Sequence, residues 1–210
     1  MNTYKNYRCG LIAIVGKPNV GKSTFINAVL NHKVSIVTAK PQTTRHRILG
    51  VLTKKNYQII FIDTPGLHKK SNKTMNRMMN RAAASALNDA DLIIFVSDAL
   101  KWTDEDDDVI ARLASNNIPT ISLINKIDQI RPKEKLLEVI TLMSKRYNFE
   151  EIIPASAKKK DNIDLVLNFI PKFLPISPPL FPEDMKTDKS EEFFISETIR
   201  EKLTLMLHQE

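Results

Sequence analysis

Gly16-Lys17-Pro18-Asn19-Val20-Gly21-Lys22-Ser23 fits the pattern G-x-x-x-x-G-K-[ST]. Glycines at 16 and 21 let the backbone bend so that successive N–H groups point inward at an anion. Lys22 adds a compact positive charge that reaches β- and γ-phosphates, and the Ser23 hydroxyl can ligate Mg²⁺. A helix starting near Lys22 aims its positive end at the same place. The bland alternative is a Gly-containing turn between a strand and a helix. The surroundings argue against it. Residues 9–15, Cys-Gly-Leu-Ile-Ala-Ile-Val, form a short apolar run suited to a buried strand, and Phe25, Ala28 and Val29 follow at helical spacing.

Downstream, residues 33–47 form a long polar connection containing Pro41-Gln42-Thr43-Thr44, and long loops in compact domains are usually functional. Residues 48–52 and 57–62 flank Lys54-Lys55-Asn56 and read as an antiparallel hairpin. Asp63-Thr64-Pro65-Gly66 follows. Its carboxylate at a strand end suits Mg²⁺, usually through water, and the Gly66 N–H suits a γ-phosphate. A plain strand-ending turn is the alternative. The pattern then predicts a helix over 72–88, a strand over 92–96 and a helix capped by Thr103. The acidic run 104–108 complements that helix's dipole, a metal site being the sharper alternative. A strand over 119–124, a helix over 134–147, a strand over 152–154 and a helix over 162–173 complete the body. Strands alternating with helices predict an α/β domain: a mostly parallel sheet with helices on both faces and ligands at the strands' carboxyl ends.

Asn125-Lys126-Ile127-Asp128 selects the base. Guanine presents N1–H and N2–H₂ side by side, and one carboxylate, Asp128, accepts from both. Adenine would leave it unpaired. Lys126 would lay its stem over the base, Asn125 would tie this loop to the phosphate loop, and the Ala157 N–H would meet the guanine oxygen. The candidate nucleotide set is Gly16, Lys17, Pro18, Asn19, Val20, Gly21, Lys22, Ser23 and Thr24; Asp63, Thr64, Pro65 and Gly66; Asn125, Lys126 and Asp128; and Ser156, Ala157 and Lys158.

The 210 residues allow one core of ordinary size with a small appendage. One cysteine excludes an intrachain disulfide framework and fits a reducing cytosol. Neither a signal peptide nor an apolar run of about 20 residues is evident. The net charge is +7. It is uneven, because the segment from Glu183 onward is acidic and the body is strongly basic, which suggests a polyanionic partner or simply Lys-rich solubility.

Taken in order, Gly16 to Ser23, Thr43-Thr44, Asp63 to Gly66, Asn125 to Asp128 and Ser156-Ala157-Lys158 resemble translation-factor-type small GTPases. Gln42-Thr43-Thr44-Arg45-His46-Arg47 and Asp63-Thr64-Pro65-Gly66-Leu67-His68 bring the chain closest to the Era family of bacterial GTPases. That resemblance covers almost the whole chain and implies a P-loop fold and hydrolysis of GTP to GDP. It implies Mg²⁺ on Ser23, Thr44 and Asp63, with Lys22, Thr44 and the Gly66 N–H assisting the chemistry. It implies a potassium ion on Asn19. It also implies 16S rRNA and the small ribosomal subunit as partners, and a cytoplasmic protein, expected to be monomeric, that can associate peripherally with the inner membrane. A tRNA-modification or ribosome-assembly relative, or a guanine-nucleotide-binding module with negligible turnover, are the alternatives.

Two departures stand out. Leu67 occupies the place where many GTPases carry a water-orienting Gln. Era relatives share an apolar residue there. The second concerns the end of the chain. The expected domains are a GTPase body over 1–174, a stiff Pro-rich linker over 175–189 and, over 190–210, the first helix of a KH-like domain. No glycine follows Gly66, so the Gly-x-x-Gly clamp of a KH domain is absent and the chain reads as a fragment. Phe194, Ile195, Thr198, Ile199, Lys202, Leu203 and Met206 trace one face of that helix, a face expected to pack on the body, pair with a second copy or fray.

Overall fold

The structure, a computed structural model, describes residues 4–37, 48–64 and 89–207. The helix expected over 72–88, the residues Thr43, Thr44, Pro65, Gly66, Leu67 and His68, and the Arg45-His46-Arg47 stretch lie outside them.

Six strands form one sheet in the order β2-β3-β1-β4-β5-β6. They are β1 (Arg8–Val15), β2 (Ile48–Lys54), β3 (Tyr57–Asp63), β4 (Leu92–Asp98), β5 (Thr120–Asn125) and β6 (Glu151–Pro154). All neighbours are parallel except β2 and β3, the expected hairpin, in which Ile48 pairs with Asp63 and Lys54 with Tyr57. Buried parallel strands must be apolar on both faces, and the period of two divides them cleanly. Ile12 and Ile14 of β1 and Leu92, Ile94 and Val96 of β4 face one core; there they meet α1 (Lys22–Leu30) through Phe25, Ile26 and Val29, and α4 (Ile163–Phe169) through Val166. Ala13, Val15, Ile93 and Phe95 face the other core. It is closed by Val109 and Leu113 of α2 (Asp104–Leu113) and Met143 of α3 (Lys135–Ser144). Helices therefore cover both faces, as expected. The last body helix ends sooner than the expected 173: after Phe169 the chain tightens into a 3₁₀ turn, Ile170–Lys172, with Pro171 at its start. Cys9 is buried in a third, smaller cluster with Tyr7 and Ile60.

The Pro-rich segment is fastened to the sheet along its length and does not act as a free-standing spacer. The side chain of Gln58, fully buried, accepts from the Leu180 and Phe181 amides at 2.8 and 2.9 Å and donates to the Phe181 carbonyl at 2.9 Å. Further on, the Val51 amide donates to the Lys186 carbonyl at 2.8 Å and the Leu49 amide to Asp188 at 2.9 Å. The edge strand β2, whose open hydrogen-bonding side would otherwise invite another chain, is covered in this way.

In the last helix, α5 (Glu191–Leu207), most of the apolar face does not pack on the body, the first of the three outcomes left open for it. The helix docks on the body through an adjacent face carrying Phe194, Glu201 and Thr204. Ile195, Ile199, Leu203 and Met206 are exposed. The reason is electrostatic: Glu201 is 6% exposed and accepts from Lys33 Nζ and, at 3.0 Å, from the Val37 amide, so a polar latch decides which face turns inward. Among the described residues no helix is long and apolar enough to cross a membrane.

Candidate nucleotide site

Every described motif sits at a carboxyl end of the sheet. The phosphate loop leaves β1 after Val15, Asp63 ends β3, Asn125 ends β5, and Ser156-Ala157-Lys158 follows β6. The loop's conformation requires its glycines. Gly16 has φ +150 and lies so close to β4 that a Cβ would meet the Val96 carbonyl oxygen at 2.2 Å, while Gly21 has φ +102 and caps the start of α1. Any L side chain at either place would be strained.

Lys22 is buried, and its Nζ donates to the carbonyls of Gly16 at 3.0 Å and Lys17 at 2.9 Å. Burial pushes its pKa down to about 8, against the opposing pull of Asp63. The Ser23 hydroxyl donates to Asp63 Oδ2 at 2.9 Å, which places a hydroxyl and a buried carboxylate side by side at the foot of the loop. The Thr64 hydroxyl is engaged elsewhere, donating to the Ile14 carbonyl at 2.6 Å. It stitches β3 to β1.

Asn125 joins three loops. Its Nδ2 donates to the Val20 carbonyl at 2.7 Å and its Oδ1 accepts from the Ala157 amide at 2.9 Å. The Ala157 N–H, expected to meet a guanine oxygen, donates here to Asn125. Asp128 lies in a 3₁₀ turn, Ile127–Gln129, and accepts from the Ser156 hydroxyl at 2.6 Å. That bond fixes its carboxylate toward the pocket shared with Asn19, Gly21, Thr24, Lys126 and Lys158, a cavity of about 610 Å³. A carboxylate so placed can accept two parallel N–H donors from a planar ring.

Two participants were missed in the sequence. Asp98, in register with Asn125 across β4 and β5, pairs with Lys126 Nζ at 2.7 Å and tethers its ammonium. Its position at a strand end, like the motif carboxylates, was the available signal. Leu205 of α5 lines the same pocket with Val37; no sequence pattern links residues so far apart. Lys17 takes part in the loop through its backbone. Its side chain turns away from the pocket and its Nζ pairs with Asp106 at 2.6 Å. The acidic run therefore serves the helix: Asp106 Oδ2 accepts from the Thr103 amide at 2.8 Å and caps α2. Among the described residues no cluster of His, Cys, Asp and Glu could hold a metal by itself.

Comparison with known proteins agrees with this geometry. The family described as 50S ribosome-binding GTPase matches residues 11–126. The chain is 49% identical over all its 210 residues to GTPase Era of Glaesserella parasuis, covering 70% of that protein. It is 50% identical over 195 residues, 93% of this chain, to GTPase Era of Actinobacillus pleuropneumoniae serotype 5b, covering 64% of that relative. It thus spans about two thirds of the length of such relatives. A crystal structure of Era in complex with MgGDPNP and nucleotides 1506–1542 of 16S ribosomal RNA superposes with a TM-score of 0.91 at 42% identity, over 94% of this chain and 67% of that one. On sequence and fold together, the chain belongs to the GTPase Era family and carries its P-loop GTPase domain.

Proposed function

We propose that this chain binds GTP with Mg²⁺, hydrolyses it to GDP and phosphate, and supplies the nucleotide-controlled switch of an activity on 16S rRNA in maturation of the small ribosomal subunit, its own residues adding only weak, unselective contacts to the RNA. The observation that carries the nucleotide part is the pair of hydrogen bonds of Asn125, donated to Val20 in the phosphate loop and accepted from Ala157 after β6. It makes the phosphate-side and base-side loops one unit, with Asp128 held ready by Ser156. Asp128 accepts from guanine N1–H and N2–H₂. Lys126, tethered by Asp98, lays its stem over the ring. The Era complex with an rRNA fragment supports the partner.

The residues present fit Mg²⁺. Ser23 Oγ and Asp63 Oδ2 stand 2.9 Å apart and are the hard oxygen ligands this ion prefers; Thr44, outside the described residues, would complete the set. When bound, the ion supplies positive charge to the β- and γ-phosphate oxygens. Lys22, leaving the Gly16 and Lys17 carbonyls, meets the same oxygens and neutralises charge as it builds on the transferring group. Leu67 cannot orient water by hydrogen bonding, so backbone groups must do so. Asn19, at φ 63 in the phosphate loop and lining the pocket, offers an amide oxygen to a potassium ion.

Single-turnover hydrolysis by purified protein tests this reading. GTP should be cleaved in Mg²⁺, faster with potassium than with sodium, and not after chelation. Tight GTP binding without cleavage in either salt would make the chain a binding module instead. Equal rates in both salts would remove potassium.

A further inference from the structure

A lysine inside a phosphate loop is placed to add charge to the anion, yet Lys17 does not. Its three ammonium donors go to Asp106 Oδ2 at 2.6 Å, the Lys101 carbonyl at 2.7 Å and Thr103 Oγ1 at 3.2 Å. It is 7% exposed and Asp106 is fully buried. The same Asp106 oxygen accepts from the Thr103 amide, so the cap of α2 and the phosphate loop hang on one carboxylate. On its backbone side, Lys17 supplies one of the two carbonyls on which Lys22 Nζ rests, and the peptide joining it to Gly16 supplies the other. Gly16 is pressed against β4. The peptides beneath Lys22 are therefore held by β4 on one side and by the start of α2 on the other.

We propose that Lys17 is a positioning residue: its buried pair with Asp106 anchors the Gly16 and Lys17 carbonyls to α2, and so sets where Lys22 meets the phosphates. This deepens, and rests on, the nucleotide reading above. A buried carboxylate stripped of its partner is strongly destabilising, so Lys17→Met alone is a poor probe. The double change Lys17→Met with Asp106→Asn removes both charges and keeps an acceptor for the Thr103 amide. Lys17→Arg keeps the pair, since a guanidinium bonds a carboxylate at least as well.

The experiment measures binding of GDP and of inosine diphosphate, which lacks the 2-amino group, to the parent, the double variant, Asp106→Asn and Lys17→Arg, with thermal unfolding alongside. The double variant should lose about tenfold or more in affinity for both nucleotides. The ratio of the two affinities should stay at the parent value, because the base side is untouched. Asp106→Asn should weaken both in the same proportion to each other, and Lys17→Arg should restore binding close to the parent's. If the double variant does not fold, Asp106→Asn against Lys17→Arg gives the same contrast. Parent-like GDP binding by every folded variant would overturn the proposal while leaving the nucleotide reading intact. So would a changed ratio between the two nucleotides. A parent that binds neither nucleotide would overturn both.

Discussion

Gly21 and Asn125 meet with no room between them: a Cβ on Gly21 would lie 2.2 Å from Asn125 Nδ2, the atom that bonds the Val20 carbonyl. Gly21→Ala should therefore displace Asn125 as well as strain a backbone at φ +102. The strain alone is about 1–3 kcal/mol. Loss of GDP affinity by at least tenfold is expected, with a lowered unfolding midpoint in the nucleotide-free protein. A variant that binds GDP like the parent would show that the two loops are not coupled through this contact.

The Lys22 ammonium gives a pH signature. Its folded pKa, pushed down to about 8, lies below the unfolded value near 10.4. In the nucleotide-free protein its burial therefore costs stability below pH 8, and that cost is relieved as pH rises from about 8 toward 10.4. Phosphate favours the ammonium, so binding above pH 8 should take up a proton, and affinity should fall by up to about tenfold per pH unit. Calorimetry of GDP binding at pH 9, in two buffers of different ionisation enthalpy, reads the proton directly. Identical heats in both would refute the assignment.

Much of this was legible beforehand. Apolar runs of four to seven residues ending in Asp63 and Asn125 announced a parallel sheet with its site at one end, because buried strands need apolar residues on both faces. The residues proposed to select guanine were readable because hydrogen-bond chemistry admits few substitutes for a carboxylate at Asp128. The side chain of Lys17 was not, because its partner Asp106 lies across the fold and looked like an ordinary helix-start acid. Which face of α5 turns inward was open in the sequence for a related reason. Hydrophobic periodicity selects Ile195, Ile199 and Leu203, but two hydrogen bonds to Glu201 orient the helix otherwise.

The α5 latch should loosen in acid. Burial by itself would raise the Glu201 carboxyl, but the bonds from Lys33 and the Val37 amide outweigh it and hold the pKa below the ordinary Glu range. The stabilisation is present above the unfolded pKa of about 4.3 and is lost as pH falls through the folded one. Hydrogen exchange at the Val37 amide should be slow at neutral pH and fast in Glu201→Ala, with the parent approaching the variant at low pH. Equal protection in both proteins at neutral pH would remove the latch.

RNA binding by this chain should come from its basic body. Affinity for a small-subunit 3′-end oligonucleotide should be weak, scarcely better than for a scrambled control, and should fall with salt by about 0.7 in log K per phosphate contacted for each tenfold rise. Titration at several salt concentrations checks this. Tight, sequence-selective binding that survives moderate salt would assign recognition to the residues present here.

Competition binding of GDP and xanthosine diphosphate to the parent and to Asp128→Asn tests most directly the claim that Asp128 reads guanine. The parent should prefer GDP strongly. The variant should lose about 1.5–3 kcal/mol of GDP binding, the worth of hydrogen bonds to a charged acceptor, and should turn toward the xanthine nucleotide, whose 2-oxo group accepts from the new amide. A variant that still prefers GDP as the parent does would contradict the assignment of the base site.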